Sequence, residues 1–394
     1  MFDRSNEYRQ PLYRLLAWIW FKLTGYNEIG MNLISVGWIG AIYVTFVQIG
    51  KKFAKNLSPW VFPSFILFIL SPILFQTYEG ECNMSWHMAT FFFLWAAYFL
   101  LEEEQSLKRV AIGTLMAALS PLSLSSSGVT LIVGLLVVHG IFRFHRLSIL
   151  RKKRALFMKE AACLALPTVS IGLLAIILTV GFQRPWWEPP WVYPSNLKFW
   201  DFFFNQVSHG FGFQALSWEL GVFCFFVVAV PLLYLFWKRG TSLPSNVYLA
   251  GALFTASIAV MLTISLGRTD NVAGLITSKA SRFWEFHMLL IPAAVLGWSE
   301  LLQRGRGRHT QNQFSLAWLW LFIFIGMSGN WDYVTPFQQV YHEKIAGLAC
   351  VRAFYEGKNN GYCPQLIDFN LANNFRHAKE MGMSIYRDNM PQSN

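Results

Sequence analysis

Long apolar runs recur along almost the whole chain, and they constrain its fold more than any other feature. Several reach the length of about 20 residues that an α-helix needs to cross the hydrocarbon core of a bilayer. Only 13% of the 394 residues are charged, whereas soluble domains carry about a quarter. The sequence therefore predicts an all-α, polytopic membrane helix bundle. Apolar length predicts about ten spans, at roughly 29–50, 59–76, 85–101, 109–122, 128–142, 160–182, 217–237, 245–266, 282–299 and 313–329.

The basic residues between these runs indicate how the chain crosses the membrane. They cluster after the first, fifth, seventh and ninth predicted spans, which all end on one side if the spans alternate. Cytoplasmic loops carry an excess of Lys and Arg, so this side is predicted to face the cytoplasm and both termini to lie outside. The residues concerned are Lys51, Lys52, Lys55, Arg143, Arg146, Arg151, Lys152, Lys153, Arg154, Lys159, Lys238, Arg239, Arg304, Arg306 and Arg308. The acidic run 102–104 falls on the same side, but acids contribute little to this rule.

The net charge of +11 could also indicate a nucleic-acid-binding protein. The excess lies in short connections between apolar runs, which argues against nucleic acid and for contact with membrane lipids. An N-terminus outside the membrane with no span before it is unusual, and one interpretation is that a first helix upstream of Met1 is missing from this sequence.

Segments outside the spans are predicted to lie on the outer face. Residues 11–24 are apolar but short and interrupted by charge, which favours a helix in the membrane plane. Residues 196–208 are predicted to form a second interfacial helix. Its aromatic residues are expected to face lipid: Phe199, Trp200, Phe202, Phe203 and Phe204. We expect the polar residues 330–394 to form a short, outer, helical tail after a bundle of residues 1–329.

The cysteines fall into two environments. Cys163 and Cys224 lie within apolar runs and are predicted to be small core residues. Cys350 and Cys363 lie in the polar tail and could form a disulfide if the tail is outside the cytoplasm.

The first candidate site is a group of acids and arginines directly before the first apolar run. It includes Asp3, Glu7 and Arg9. A carboxylate near arginines at a low-dielectric rim can act as a general base, while the arginines hold an anionic leaving group. The alternative is a charge cluster that only anchors the following helix at the membrane surface.

A second candidate site combines Arg268, Lys279 and Arg282 on the side predicted to be outside. Lys and Arg are usually in excess on the cytoplasmic side, so three cations on the outer side require an explanation. Arg grips phosphate oxygens with two hydrogen bonds and Lys adds a point charge, so a lipid phosphate or pyrophosphate is a fitting partner. The alternative is ion pairing with Glu7, Asp270 or Glu285.

Other polar groups give weaker signals. The loop with Glu79 and Glu81 could supply a metal carboxylate pair, but full metal-ligand spacing is missing and an ordinary loop is favoured. The sequence therefore does not decide whether a divalent metal binds. His87, His139 and His287 lie in or near spans and are predicted to be core histidines with hydrogen-bond partners. The sequence also lacks a Walker loop, a dinucleotide fingerprint and a nucleophile elbow, so no nucleotide cofactor is expected.

The layout resembles the GT-C class of membrane glycosyltransferases, which includes relatives of protein mannosyltransferases and of the aminoarabinose transferase of lipid A. It is most similar to a bacterial set with an Asn-Glu-His-Arg stretch followed by Pro-Arg, and a Gly-Arg then Ser-Arg pair before a late span. Here these motifs read Asn6-Glu7-Tyr8-Arg9 with Pro11 and Arg14, then Gly267-Arg268 and Ser281-Arg282.

This resemblance implies a glycosyltransferase of the bacterial inner membrane that moves a sugar from a polyprenyl-phosphate donor to an outer-face acceptor. Glu7 would be the base, with Asp3 as the alternative. Arg9, Arg268, Lys279 and Arg282 would hold the phosphate. The chain departs from the set in three ways: the usual first helix is absent, Tyr8 replaces His, and the acids are four residues apart.

These departures keep two other functions open. One is a non-catalytic GT-C-like subunit that acts as a scaffold for membrane-protein partners. The other is a transporter, suggested by a broken element at 120–128 between the fourth and fifth spans, which could also be a tight hairpin joining two spans.

Overall fold

The computed structural model consists of fourteen α-helices and one short 3₁₀ helix over the residues that it describes. Those residues are 10–24, 28–70, 84–103, 106–150, 154–180, 190–239, 243–270, 275, 278, 283–303, 309–328, 334–363, 372 and 376. The α-helices are α1 (Pro11–Thr24), α2 (Glu28–Phe53), α3 (Phe62–Leu70), α4 (Met84–Leu100), α5 (Leu107–Ser123), α6 (Ser125–Leu150), α7 (Arg154–Thr179), α8 (Leu197–Gly210), α9 (Trp218–Arg239), α10 (Ser245–Arg268), α11 (Trp284–His287), α12 (Leu290–Leu302), α13 (His309–Ser328) and α14 (Val334–Tyr355). The predicted all-α class is therefore confirmed.

Six stretches among the described residues are long and apolar enough to cross a membrane. They lie in α2, α6, α7, α9 and α10 and in the pair α11–α12. This supports a multi-pass membrane protein. The other predicted spans coincide with shorter helices, since α4 and α5 have 17 residues each and α3 is described over nine. A count of ten spans is thus not reached by helix length and composition alone.

The centre of the bundle is formed by α4, α6, α10 and α12, whose inward side chains are buried. Helices α6 and α10 approach closely where Gly134 meets the backbone of Ala256. The hydroxyl of Thr255 donates a 2.8 Å hydrogen bond to the Gly134 carbonyl across this contact. Small residues let helix backbones approach in this way and bring polar groups within bonding distance.

The break between α5 and α6 is a tight hairpin, which decides between the two structures that the sequence left open. Leu124 leaves the helical conformation with φ −144° and ψ 90°. The chain turns back directly, and the amide of Gly128 donates a 2.6 Å hydrogen bond to the Leu124 carbonyl. A side chain on Gly128 would approach the Ser120 carbonyl oxygen to 2.5 Å, so this turn requires glycine or a shift of the backbone.

Helix α1 spans 11–24 as predicted, with Pro11 in its first turn. It packs against α5 and against buried Met31, Met84 and Met88, while Trp18 remains exposed.

Helix α8 also forms where predicted, but its aromatic face points the other way. The expectation that Phe199, Phe202 and Phe203 face lipid is wrong, because each is at most 3% exposed. They lie in the protein because α8 packs against α9 and α10. Trp200 keeps part of its ring exposed.

Charged groups join the helices at one end of the bundle, which we call the basic end. Glu102 lies 3.4 Å from Lys52 Nζ and also pairs with Arg109. Arg143 is fully buried and contacts Glu160 Oε2 at 2.9 Å. Glu102 is therefore a counterion for cations of two neighbouring helices, Lys52 of α2 and Arg109 of α5. This contact explains one residue of the acidic run 102–104, which the charge rule did not explain.

The tail contributes α14 and a disulfide between Cys350 and Cys363. Asn359 donates a 2.8 Å hydrogen bond to the Cys350 carbonyl inside the loop that the disulfide closes.

Candidate functional site at the far end of the bundle

The end opposite the basic end, called the far end, carries Arg268, one member of the predicted phosphate-binding cluster. Arg268 occupies the last turn of α10 and is half-buried. The other predicted site residues lie outside the described residues: Asp3, Glu7, Arg9, Lys279 and Arg282. The structure thus describes one of the predicted site residues, Arg268. It also describes the two ends of the connection whose sequence contains Lys279 and Arg282.

The first of these ends is held by α8 and the segment before it. Asp270 lies 3.6 Å from the ammonium of Lys198 on α8. The amide of Val192 donates a 3.0 Å hydrogen bond to the carbonyl of Leu266. The exit of α10 is therefore attached once to α8 and once to the segment that precedes it.

The second end is the short helix α11, which lies inside the bundle. The indole of Trp284 donates a 2.6 Å hydrogen bond to the carbonyl of His209 on α8. The hydroxyl of Ser257 on α10 donates at 2.9 Å to the carbonyl of Phe286. The ring of Trp86 on α4 stacks on Phe286 at 5.1 Å between centroids. Three neighbouring helices therefore fix α11.

The most polar contact of α11 is between Glu285 and His87. Glu285 Oε2 lies 2.8 Å from His87 Nδ1, and 1% of each side chain is exposed. His87 lies roughly 20 Å along α4 from its basic end at 1.5 Å per residue, within an apolar layer that is about 30 Å thick. A pair of ionisable side chains buried in this way in a bundle of apolar helices is a functional-site hypothesis by default.

Two more histidines extend this pair into a buried polar cluster. The rings of His209 and His287 contact each other with 5.7 Å between centroids. Both side chains are fully buried. We call His87, His209, Glu285 and His287 the far-end cluster. Its members come from α4, α8 and α11, so they lie where α11, at the second end of the Arg268–Trp284 connection, packs against two other helices.

Some polar atoms near the far-end cluster have no hydrogen-bond partner among the described residues. These include His87 Nε2, both carboxylate oxygens of Glu285, and Thr90 Oγ1 one turn along α4. Glu285 Oε2 therefore lies close to His87 Nδ1 without hydrogen-bond geometry. Buried polar atoms of this kind are commonly satisfied by internal water. No group of three His, Cys, Asp or Glu side chains with metal-binding geometry occurs in the part of the chain that the structure describes.

Replacing Glu285 by Gln should lower the free energy of unfolding by about 1–3 kcal/mol, because it alters the carboxyl group that faces His87 inside the bundle. His87→Leu should cost a similar amount. The double variant should cost less than the sum, with a coupling energy of about 0.5–3 kcal/mol. Unfolding of detergent-solubilised protein, followed by tryptophan fluorescence, measures all three.

Thr90→Val is the matched control, since it removes a buried hydroxyl on the same helix whose oxygen has no hydrogen-bond partner among the described residues. It should leave stability unchanged or raise it slightly. Strict additivity of the two single changes would show that His87 and Glu285 do not act as a pair.

Carboxylates nearer the surface of the far end are Asp201 on α8 and Glu219 in the first turn of α9. Burial raises the pKa of Asp201, and the nearby charge of Glu219 raises it further, while a hydrogen bond from Asn205 opposes the shift. Ser217 donates a 2.8 Å hydrogen bond to Glu219. These acids were not singled out from the sequence, because neither lies beside other charged residues in the chain.

The far-end cluster was also missed as a unit, although sequence reasoning named two of its histidines. The prediction that His139 has partners is confirmed, since its ring nitrogens lie 3.0 and 3.2 Å from the carbonyls of Leu100 and Cys163. His87 instead faces Glu285, which the sequence offered only as a partner for the nearby cations. The acidic loop of Glu79 and Glu81 lies outside the described residues.

Comparison of the chain with protein-family models, with curated proteins and with solved structures finds no match.

Proposed function

We propose that this chain is a GT-C-type glycosyltransferase of the bacterial inner membrane. It transfers a sugar from a polyprenyl-phosphate donor to an acceptor at the far end of the bundle, which faces outward. In this proposal the chain has about ten spans, α1 and α8 lie on the outer side, and the tail is extracytoplasmic. The excess of Lys and Arg at the basic end supports this orientation.

The observation that carries the proposal is the double attachment of the Arg268–Trp284 connection. Its first end is held by the backbone hydrogen bond from Val192 to Leu266, with the exposed pair of Asp270 and Lys198 beside it, and its second end by the buried contacts of α11. The sequence of this connection also contains Lys279 and Arg282. A cation-rich segment held at both ends suits a site that must grip a phosphate in one position, because pre-positioned charges stabilise a leaving group without reorganisation.

The chemistry is a substitution at the sugar carbon that bears the phosphate. Glu7, with Asp3 as the alternative, removes the proton of the acceptor nucleophile as it attacks that carbon. The bond between the sugar carbon and the phosphate oxygen breaks, and polyprenyl phosphate leaves with the bonding electron pair. Arg9, Arg268, Lys279 and Arg282 hold the phosphate as its charge grows.

Reconstituted protein tests this proposal directly. Proteoliposomes with polyprenyl-phosphate-linked mannose, glucose or aminoarabinose and a bacterial lipid extract should release polyprenyl phosphate. Glu7→Gln should abolish the release, and Arg268→Gln should lower it by at least about tenfold. A parallel assay with EDTA decides whether a divalent metal takes part.

The two control variants each remove one charge of the same sign as a test variant, at a position outside the proposed site. Glu219→Gln removes an acid at the far end, and Lys238→Gln removes an exposed cation at the basic end. Both should keep full activity. Release that survives in Glu7→Gln and Arg268→Gln would exclude the assigned roles.

The scaffold alternative is favoured by a different observation. The polar interior of the far end is filled by side chains of the far-end cluster, each at most 1% exposed. The outward faces of α7 and α9 are broadly apolar, with Ile176, Phe226 and Leu233 more than half exposed. A non-catalytic subunit would release no polyprenyl phosphate in any proteoliposome and would co-purify with a membrane-protein partner after gentle solubilisation.

A further inference from the structure

A cavity of about 490 Å³ opens at the basic end, on the side of the bundle opposite Arg268. It lies where the end of α2, the α4–α5 connection, the start of α10 and the end of α12 meet. Its polar lining includes Lys52, Lys55, Glu102, Glu103, Asn246 and Glu300. A cavity of this size accommodates a small ligand or a lipid headgroup.

One wall of the cavity carries its cations. Lys52 Nζ lies 3.8 Å above the centroid of the Tyr98 ring and donates a 2.8 Å hydrogen bond to the Tyr98 carbonyl. Lys55 follows one turn later and is exposed. Lys52 is thus fixed by the bundle, while Lys55 can reach into the opening.

The remaining walls carry carboxylates that are also held in place. Glu103 accepts a 2.8 Å hydrogen bond from the hydroxyl of Ser245, and Glu300 accepts one of 3.0 Å from the amide of Asn246. Glu300 belongs to the last turn of α12 and is 9% exposed. Glu103 and Glu300 are therefore held by residues of α10, whereas Glu102 lies 3.4 Å from Lys52 on the α2 side.

The balance of charge indicates the class of ligand. The cavity contains two lysines and three carboxylates, and Arg109 pairs with one of these carboxylates, Glu102. With Arg109 counted, positive and negative groups are equal in number. Glu102 pairs with Lys52 and Arg109, whereas Lys55 lies at the end of α2 and Glu103 and Glu300 are held by residues of α10. A pure anion or a pure cation would meet repulsion from one wall, whereas a zwitterion satisfies both.

We infer that this cavity binds a phosphoethanolamine group. Lys52 and Lys55 contact the phosphate, and Glu300 and Glu103 accept hydrogen bonds from the primary ammonium. The cavity opens at the ends of apolar helices and includes Phe53 and Leu57 in its lining, so phosphatidylethanolamine of the adjacent leaflet can present this headgroup. A water-soluble phosphoethanolamine compound carries the same chemistry. The inference does not depend on the proposed function.

Lipid retention by purified protein tests the inference. The detergent-solubilised chain is incubated with equal amounts of phosphatidylethanolamine, phosphatidylcholine and phosphatidylglycerol, and bound lipid is counted by native mass spectrometry. Phosphatidylethanolamine should exceed phosphatidylcholine by at least about tenfold, because a quaternary ammonium has no N–H to donate to carboxylates. Lys55→Gln and Glu300→Gln should each lower its retention by about tenfold or more.

Charge-matched controls and a competition arm complete the design. Lys238→Gln and Glu219→Gln lie away from the cavity and should retain the lipid as the unchanged protein does. Lys55 is exposed, so its variant remains informative if Glu300→Gln fails to fold. Displacement by millimolar glycerophosphoethanolamine shows that a soluble source also binds, while its failure assigns the site to the lipid. Equal retention of the three lipids, a preference for phosphatidylglycerol, or unchanged retention in Lys55→Gln would overturn the inference.

Discussion

Replacing Arg143 by Met is expected to lower the free energy of unfolding by about 3 kcal/mol, because it removes the nearer of the two cations that face Glu160 and leaves only Arg146, whose Nε lies 3.4 Å from Glu160 Oε1. Arg143 is fully buried, and its guanidinium donates to Glu160 Oε2 at 2.9 Å. It also donates at 3.3 and 3.1 Å to the carbonyls of Leu100 and Glu102 at the end of α4. One side chain thus joins α6, α7 and the end of α4. Its loss leaves the carbonyls of Leu100 and Glu102 and Oε2 of Glu160 without this donor.

The measurement is unfolding of the purified protein in mixed detergent micelles with increasing SDS. Arg109→Met is the control, since Arg109 is half exposed and also pairs with Glu102. A surface pair of this kind contributes at most about 1 kcal/mol. The double variant Arg143→Met/Glu160→Leu should recover much of the lost stability, because it removes both buried charges. Equal losses for Arg143→Met and Arg109→Met would contradict this account of the basic end.

The basic end also shows what charge patterns can predict. The Lys and Arg residues after alternate spans indicated that these connections share one side, and the contacts of Lys52 and Arg143 with Glu102 bring the ends of the first and fifth predicted spans to the same end of the bundle. The partners could not be predicted, because Glu102 and Lys52 lie far apart in the sequence. Charge rules describe where loops lie, whereas ion pairs depend on which helices pack together.

The bounds of the helices were predicted better than which side of each helix is buried. The bounds of α1 agree because Pro11 favours a first turn and Gly25 and Asn27 end the apolar run. The orientation of α8 was wrong because lipid and protein interior are both apolar. Phe202 satisfies either environment, so composition cannot tell which one it faces.

The far-end cluster was beyond sequence reasoning for a related reason. His87, His209 and Glu285 are separated by long stretches of chain, and neither a motif nor a fixed spacing connects them. These residues come together because α11 packs inside the bundle, where hydrogen bonds of Trp284 and Ser257 hold it. The predicted catalytic acids, Glu7 and Asp3, remain assigned from the resemblance and from their chemistry alone.

The contact between α6 and α10 should be equally sensitive to a single added side chain. Gly134→Ala is expected to cost about 1–3 kcal/mol of unfolding free energy, and Gly134→Leu more, because overpacking forces the helices apart. A Cβ atom on Gly134 would lie 2.5 Å from the Cα and backbone nitrogen of Ala256, which cannot rotate away. Separation would also lengthen the 2.8 Å bond from Thr255 to the Gly134 carbonyl.

Gly140 provides the matched control on the same helix, since a Cβ atom there would meet nothing within 4 Å. Gly140→Ala should keep or raise stability, by up to about 1 kcal/mol, because alanine favours the helix. The two variants make the same chemical change two turns apart, and the SDS titration described above compares them directly. If both lose stability alike, glycine matters through the flexibility of α6. If only Gly134→Ala loses it, the close approach of α6 and α10 holds the centre of the bundle together.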